Sequence, residues 1–223
     1  MTDKDTTNYY RDRAQEYEQI YYRDNPERRQ EIADEVARLQ KLIAGKKVLE
    51  LACGTGYWTQ VMAETASHVT ALDIWPEMIA EAKKKPHKGP VEFVAADMFA
   101  YPIPEKAFDI VAVGFWFSHQ PRQEYERFFD LISRPLRDEG QIWLIENNPP
   151  AEGGKGHEFV KKDEFGNSYK RRNLENGTSY VILKNYFDEP ELRALFSPRF
   201  QIRQVVYKTY YWSVVLGVQR GIL

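Results

Sequence analysis

Two rhythms of apolar residues alternate along the middle of the chain. Short apolar runs at Lys47–Leu51, Val69–Ile74, Val91–Ala95, Phe108–Val113 and Gln141–Glu146 read as strands. Between them, Tyr57–Ala66, Pro76–Lys85 and Pro121–Ser133 read as helices, the last with Tyr125, Phe128, Phe129 and Ile132 on one face. Strands that alternate with helices at this pitch predict a parallel sheet covered on both faces. Right-handed crossovers make such a sheet doubly wound. Upstream, Tyr9–Tyr22 reads as a helix rich in tyrosine and charge, broken at Asn25-Pro26. Ile32, Val36, Leu39 and Ile43 then mark a second helix that ends near Gly45. The rhythm changes after Asn147. Pro149–Gly156 reads as loop, and Ser168–Leu174 and Thr178–Leu183 flank Asn176-Gly177, a pair suited to a tight hairpin. A helix over Glu189–Phe196 and an antiparallel pair, Phe200–Lys208 with Tyr211–Val218, close the chain.

These elements predict one domain. Residues 1–44 supply N-terminal helices, 45–147 the sheet core, 148–187 an insertion, and 188–223 the closing helix and strands. With 223 residues and 43% hydrophobic content, a full core is expected. The net charge of -2 argues against a nucleic-acid partner. Cys53 is the single cysteine, so no intramolecular disulfide forms. His68, His87, His119 and His157 are scattered, without zinc-ligand spacing, and no metal is expected. No apolar run approaches the ~20 residues of a membrane span. The polar start, Met1-Thr-Asp-Lys-Asp, has no apolar signal region, so a cytoplasmic monomer or homodimer without a membrane partner is expected.

In an open α/β sheet, ligands bind at the carboxyl ends of the strands where strand order reverses. The first strand runs into Glu50-Leu-Ala52-Cys53-Gly54-Thr-Gly56. Its glycines allow a sharp turn and close backbone approach to a ligand. The second strand ends on Asp73, about where an acidic residue meets ribose hydroxyls in nucleotide-binding folds. The third leads to Asp97-Met98, and the fourth runs into Gly114-Phe115-Trp116-Phe-Ser-His119. A dinucleotide site would have Gly or Ala where Thr59 stands, for close packing beside a pyrophosphate. Glu50 would also repel phosphate, while suiting an amino group. These residues point to a nucleoside ligand without a diphosphate, and they disfavour a nicotinamide dehydrogenase.

Val48-Leu-Glu-Leu-Ala-Cys-Gly-Thr-Gly56 resembles the first motif of the class I S-adenosylmethionine-dependent methyltransferases. Ala-Leu-Asp73-Ile, Ala-Ala-Asp97-Met98 and Phe108-Asp-Ile-Val resemble the motifs that follow, in order and spacing. Ala52 departs from the glycine that many members carry. The resemblance covers residues 45–147 most closely. It implies a Rossmann-like, doubly wound, seven-stranded α/β sheet, mostly parallel with an antiparallel last strand, plus an N-terminal helical lid and a β-hairpin insertion. It implies S-adenosylmethionine as cofactor and S-adenosylhomocysteine as product. Ala52, Cys53, Gly54 and Gly56 would cradle the methionine part, near Glu50 and the Gly114-Phe115 backbone. Asp73 would accept from the ribose hydroxyls, and Asp97 from the adenine amino group. Ile74 and Trp75 would sandwich the adenine, with the Met98 backbone on the ring. The Tyr9–Tyr21 segment resembles the mobile lid of small-molecule members, in which a tyrosine near position 17 covers the cofactor; Tyr17 is that residue here.

The expected reaction is transfer of a methyl group to a small-molecule acceptor by in-line displacement. His119, at the mouth of the site, is the candidate general base, because histidine titrates near neutral pH. Its alternative is a structural role at the start of the next helix. Tyr21, Trp116, Arg171 and Tyr186 are candidate acceptor contacts. Arg171 and Arg172 alternate in facing, so at most one points inward to clamp a carboxylate or phosphate. Glu146 could touch an acceptor amine. The competing readings are an RNA or protein methyltransferase, and a cofactor-binding sensor or accessory protein without turnover.

Overall fold

The computed structural model describes residues 6, 8–10, 25–150, 159–174 and 176–218. Helix α1 (Pro26–Ile43) starts on an Asn25 cap, whose side chain accepts the Arg28 N–H. There follow β1 (Lys47–Leu51), α2 (Tyr57–Met62), β2 (His68–Asp73), α3 (Pro76–Lys83), β3 (Val91–Ala95) and β4 (Phe108–Gly114). Beyond two short 3₁₀ turns come α4 (Tyr125–Ser133), β5 (Leu136–Asn147), β6 (Phe159–Lys162), β7 (Ser168–Asn173) and β8 (Ser179–Leu183). The chain closes with α5 (Glu189–Phe196), β9 (Phe200–Tyr207) and β10 (Tyr211–Val218).

The main sheet has seven strands in the order β3-β2-β1-β4-β5-β10-β9. β10 runs antiparallel to both β5 and β9, and the other pairings are parallel. This is the doubly wound sheet with an antiparallel last strand that the motifs imply. Strand alternation sends neighbouring residues to opposite faces. Val48, Ile110, Ala112, Trp143 and Ile145 pack with Ile32, Leu39 and Ile43 of α1, Trp58 and Met62 of α2, and Ile79 of α3. Leu49, Leu51, Val111, Val113, Ile142 and Leu144 pack on the other face against Phe128, Phe129 and Ile132 of α4 and Leu192 and Phe196 of α5.

Helix α2 ends at Met62, short of the expected Ala66, and larger differences from the sequence-based expectation fall later in the chain. β5 begins at Leu136, which stands opposite Phe108; the polar stretch Arg137-Asp-Glu-Gly140, with its left-handed Glu139, then forms an irregularity in the register before Gln141 meets Ile110. Pro121 does not start α4; it precedes a 3₁₀ turn at Arg122–Glu124. The expected hairpin gains a third, wholly exposed strand, giving a small sheet β6-β7-β8. Among the described residues no helix is long and apolar enough to cross a membrane.

Phe129 is fully buried and touches Phe117, Phe196 and Phe200. Phe129→Ala should lower unfolding free energy by about 3–5 kcal/mol in chemical denaturation. A loss under ~1 kcal/mol would contradict this packing.

Candidate active site

Strand order reverses between β1 and β4, and a cleft of about 440 Å³ opens at their carboxyl ends. Two residues at this edge hold left-handed backbone without being glycine: Ala52 after β1 (φ 55°) and Phe115 after β4 (φ 57°). For a bulky residue such a φ is an outlier, and strain of this kind gathers at functional sites. Gly56 needs to be glycine twice over. Its φ is 83°, and an added Cβ would lie 2.7 Å from Ala82 Cβ on α3. A Cβ on Gly114 would meet Trp58 Cδ1 at 2.6 Å. Around Gly54 (φ 55°), by contrast, no atom stands within 4 Å of that position, so its bare backbone faces open space on the cleft.

Asp73 ties this edge together. One carboxylate oxygen accepts the Gly54 N–H and the other the Trp75 N–H, both at 2.9 Å. Burial raises its pKa against the pull of those backbone donors. Asp97, exposed, accepts the Phe99 N–H at 2.9 Å beside buried Met98. Ile74, Trp75, Asp97, Met98 and Trp116 line the same cleft.

Glu50, Cys53 and Gly56 do not line it; they stand behind or within the loop. Thr59, noted in the sequence only as a departure from the dinucleotide pattern, is fully buried and donates its hydroxyl to Glu50 at 2.5 Å. Burial pushes the Glu50 carboxyl up to about 8, opposed by the Thr59 hydrogen bond and helped by the Asp73 charge. Burial also raises the Cys53 thiol, with Glu50 and Asp73 adding to it, so this cysteine holds little thiolate.

His119 reaches the cleft from a 3₁₀ turn at Phe117–His119, and it is buried. Its Nδ1 lies 2.6 Å from the Leu183 carbonyl, and its Nε2 lies 2.6 Å from the Tyr10 hydroxyl. A carbonyl only accepts, so Nδ1 carries the proton, and neutral Nε2 accepts from Tyr10. Burial holds the imidazole pKa well below its usual value, and the Lys184 and Arg172 charges lower it further. The turn is pinned to the insertion. Asn185 donates its backbone N–H to the Ser118 carbonyl at 2.8 Å and its side-chain amide to the Gln120 carbonyl at 3.2 Å.

The acceptor-side expectations are revised in detail. Glu146 is fully buried and spoken for: one oxygen accepts the Ser118 N–H at 2.9 Å, the other the Lys184 ammonium at 3.0 Å. It is a structural counter-ion and does not face an acceptor amine. Arg171 is exposed on the outer face of β7, while Lys170 and Arg172 share the inward face. Tyr186 meets Lys170, 2.9 Å from its ammonium, and does not line the cleft. Tyr17 and Tyr21 lie outside the described residues. Within the N-terminal segment, Thr6 and Tyr10 line the cleft, and Thr6 accepts the Leu183 N–H at 2.9 Å. Tyr10 was read only as one aromatic of a lid helix. Its link to His119 spans most of the chain, and nothing local in the sequence marks it.

A family model for a methyltransferase domain matches residues 48–140. The demethylmenaquinone methyltransferase of Thermus thermophilus is 34% identical over 117 residues, 51% of this chain and 52% of that protein. That of Listeria welshimeri is 30% identical over 122 residues, 52% and 51% of the two chains. The chain thus spans about half the length of the curated relatives it matches. Over nearly the whole chain it resembles the solved DhpI–SAH complex, with TM-score 0.73, 28% identity and 97% of each chain covered. It superposes on the DhpI–SAM–HEP complex with TM-score 0.72 and 28% identity over 95% of each. The PH0226 protein of Pyrococcus horikoshii shares the fold, with TM-score 0.73 at 20% identity over 92% of this chain and 99% of that one. Fold, motif placement and the matched domain at residues 48–140 together support a class I S-adenosylmethionine-dependent methyltransferase.

Glu50 gives the site a pH signature. Its folded pKa is raised from 4.5 to about 8, so the folded state holds a proton that the unfolded state releases above ~4.5. Its contribution to stability is full below that point and declines as pH rises toward 8. The stability difference between Glu50→Gln and the ligand-free wild type should therefore shift in favour of the variant from pH 5 to pH 8, in paired thermal melts. A difference that does not change with pH would contradict the buried, protonated carboxyl.

Proposed function

We propose that the protein transfers the methyl group of S-adenosylmethionine to a small-molecule acceptor by in-line displacement. The observation that carries this reading is the cleft edge itself. A bare Gly54 backbone and the carboxylates of Asp73 and Asp97 all meet one cavity at the switch point. Each Asp73 oxygen spends one lone pair on a backbone N–H and keeps another for a ribose hydroxyl. Asp97 takes the adenine amino group, and Ile74, Trp75 and Met98 flank the ring. Gly54, Gly114 and Phe115 would shape the methionine end, with Glu50 and Gly56 behind the loop. When bound, the cofactor supplies a methyl already activated by its sulfonium. The protein then needs to align the acceptor and exclude water rather than provide a covalent nucleophile.

His119 acts as general base where the acceptor must lose a proton. The Leu183 carbonyl holds the Nδ1–H, which leaves the Nε2 lone pair toward the cleft. Tyr10 occupies that lone pair here and would yield it to an acceptor. Supporting a small acceptor, Thr6 and Tyr10 of the N-terminal segment line the cleft beside His119. The demethylmenaquinone methyltransferases and the DhpI–SAM–HEP complex are the named comparisons on which the acceptor class leans.

The test is S-adenosylhomocysteine formation across amines, thiols, phenols, carboxylic acids and short RNAs. Turnover confined to a small-molecule class is expected, and turnover on RNA alone would overturn the reading. On the active acceptor, His119→Ala should lower kcat at least tenfold and leave cofactor affinity unchanged; near-normal kcat would remove the base.

A further inference from the structure

Both ring nitrogens of His119 are engaged, and both engagements lead back to the end of β8. The Leu183 carbonyl, 2.6 Å from Nδ1, accepts the imidazole proton. The N–H of the same residue donates to Thr6 Oγ1 at 2.9 Å. Leu183, the last residue of β8, thus holds His119 by its carbonyl and the N-terminal segment by its N–H. Thr6 and Tyr9 are buried, and Thr6 and Tyr10 line the cleft. Tyr9 packs against Leu174 and Ile182 of the β7–β8 pair, and its ring meets Tyr180 edge-on at 5.8 Å. Tyr9 also meets Tyr10 edge-on at 5.0 Å. These contacts deliver Tyr10 to the base. Its hydroxyl lies 2.6 Å from Nε2, and its ring stands T-shaped to the imidazole at 4.8 Å.

A neutral imidazole whose Nδ1–H is committed to a carbonyl has one lone pair left, on Nε2. A general base needs that lone pair within hydrogen-bond reach of the proton it takes. One lone pair does not serve two donors along the same axis, so the Tyr10 hydroxyl and an acceptor contend for it. We infer that Tyr10 is an internal competitor for His119: an acceptor displaces its hydroxyl from Nε2, and the docking of Thr6 and Tyr9 on the small sheet sets how hard that displacement is. The apparent affinity for the acceptor is then lowered by the fraction of molecules in which Nε2 is free. One hydrogen bond of this kind shifts such an equilibrium by about twofold to tenfold. The exchange also sorts acceptors. One that brings its own O–H or N–H replaces the bond it breaks, whereas one without a donor leaves Nε2 unpaired in a buried place.

This inference rests on His119 being the base of the methyl-transfer site, and the test keeps the two apart. Diethyl pyrocarbonate acylates a neutral imidazole at the nitrogen that carries the lone pair. Its rate at His119 is followed by peptide mass spectrometry in ligand-free protein at pH 7, with His68 as the internal standard. The expected result is modification of His119 at least threefold faster in Tyr10→Phe, which keeps the ring and its packing, and in Tyr9→Ala, which removes the anchor. The His68 rate should stay as in wild type. On an acceptor identified by turnover, KM should fall at least threefold in Tyr10→Phe, a gain that a purely structural contact would not produce. A cooperative thermal melt shows that each variant is folded; if Tyr9→Ala is not, Tyr10→Phe decides. A His119 rate unchanged in a folded variant, or a KM that does not fall, would overturn the competitor alone. Failure of S-adenosylhomocysteine to bind the wild type would instead overturn the methyl-transfer reading.

Discussion

The cleft depends on the double grip of the Asp73 carboxylate. By accepting the Gly54 and Trp75 N–H groups, it fixes the loop after β1 to the turn after β2. Neither loop has a regular hydrogen-bond ladder at that point, so without the carboxylate their backbone donors would need water. The grip also explains why the β1 loop tolerates a left-handed Ala52. Its cost, about 1–2 kcal/mol for an L-residue, is met by a loop held at both ends. Gly56, wedged against Ala82, closes the same loop onto α3.

A second, independent assembly holds the His119 turn. Glu146 at the end of β5 gathers the Ser118 N–H and the Lys184 ammonium, joining the main sheet, the His119 turn and the small sheet. Breaking one partner of such a buried pair leaves an uncompensated charge, worth about 3–5 kcal/mol. The insertion is thus bonded into the core, with Asn185 adding backbone and amide links to the same turn. The Asp73 loops and the Glu146 assembly meet at β4, whose end carries Gly114, Phe115 and, a few residues on, His119.

The sheet was legible because its signals are local. Apolar runs, helical spacing and glycine turns are read within a few residues, and strand ends follow from them. Asp73, Asp97 and Gly54 could be placed on the cleft for that reason. What escaped was long-range. The hydroxyl of Thr59 serves Glu50 only after a helix turns it back, and Tyr10 finds His119 across the length of the fold. The facing of Arg171 and Arg172 was known to alternate, yet which one points inward is set by strand register, which the sequence does not print. The start of β5 was hidden by the polar residues 137–140, which interrupt its register between Leu136 and Gln141. Tyr17 and Tyr21 stay expectations of the lid resemblance, outside the described residues.

The central claim is that Asp73 organises a nucleoside-binding cleft. Isothermal titration of S-adenosylhomocysteine into wild type and Asp73→Ala tests it most directly. The account predicts one molecule bound per chain by the wild type and an affinity at least tenfold weaker in the variant. No binding by the wild type, or equal affinity in a folded Asp73→Ala, would contradict it.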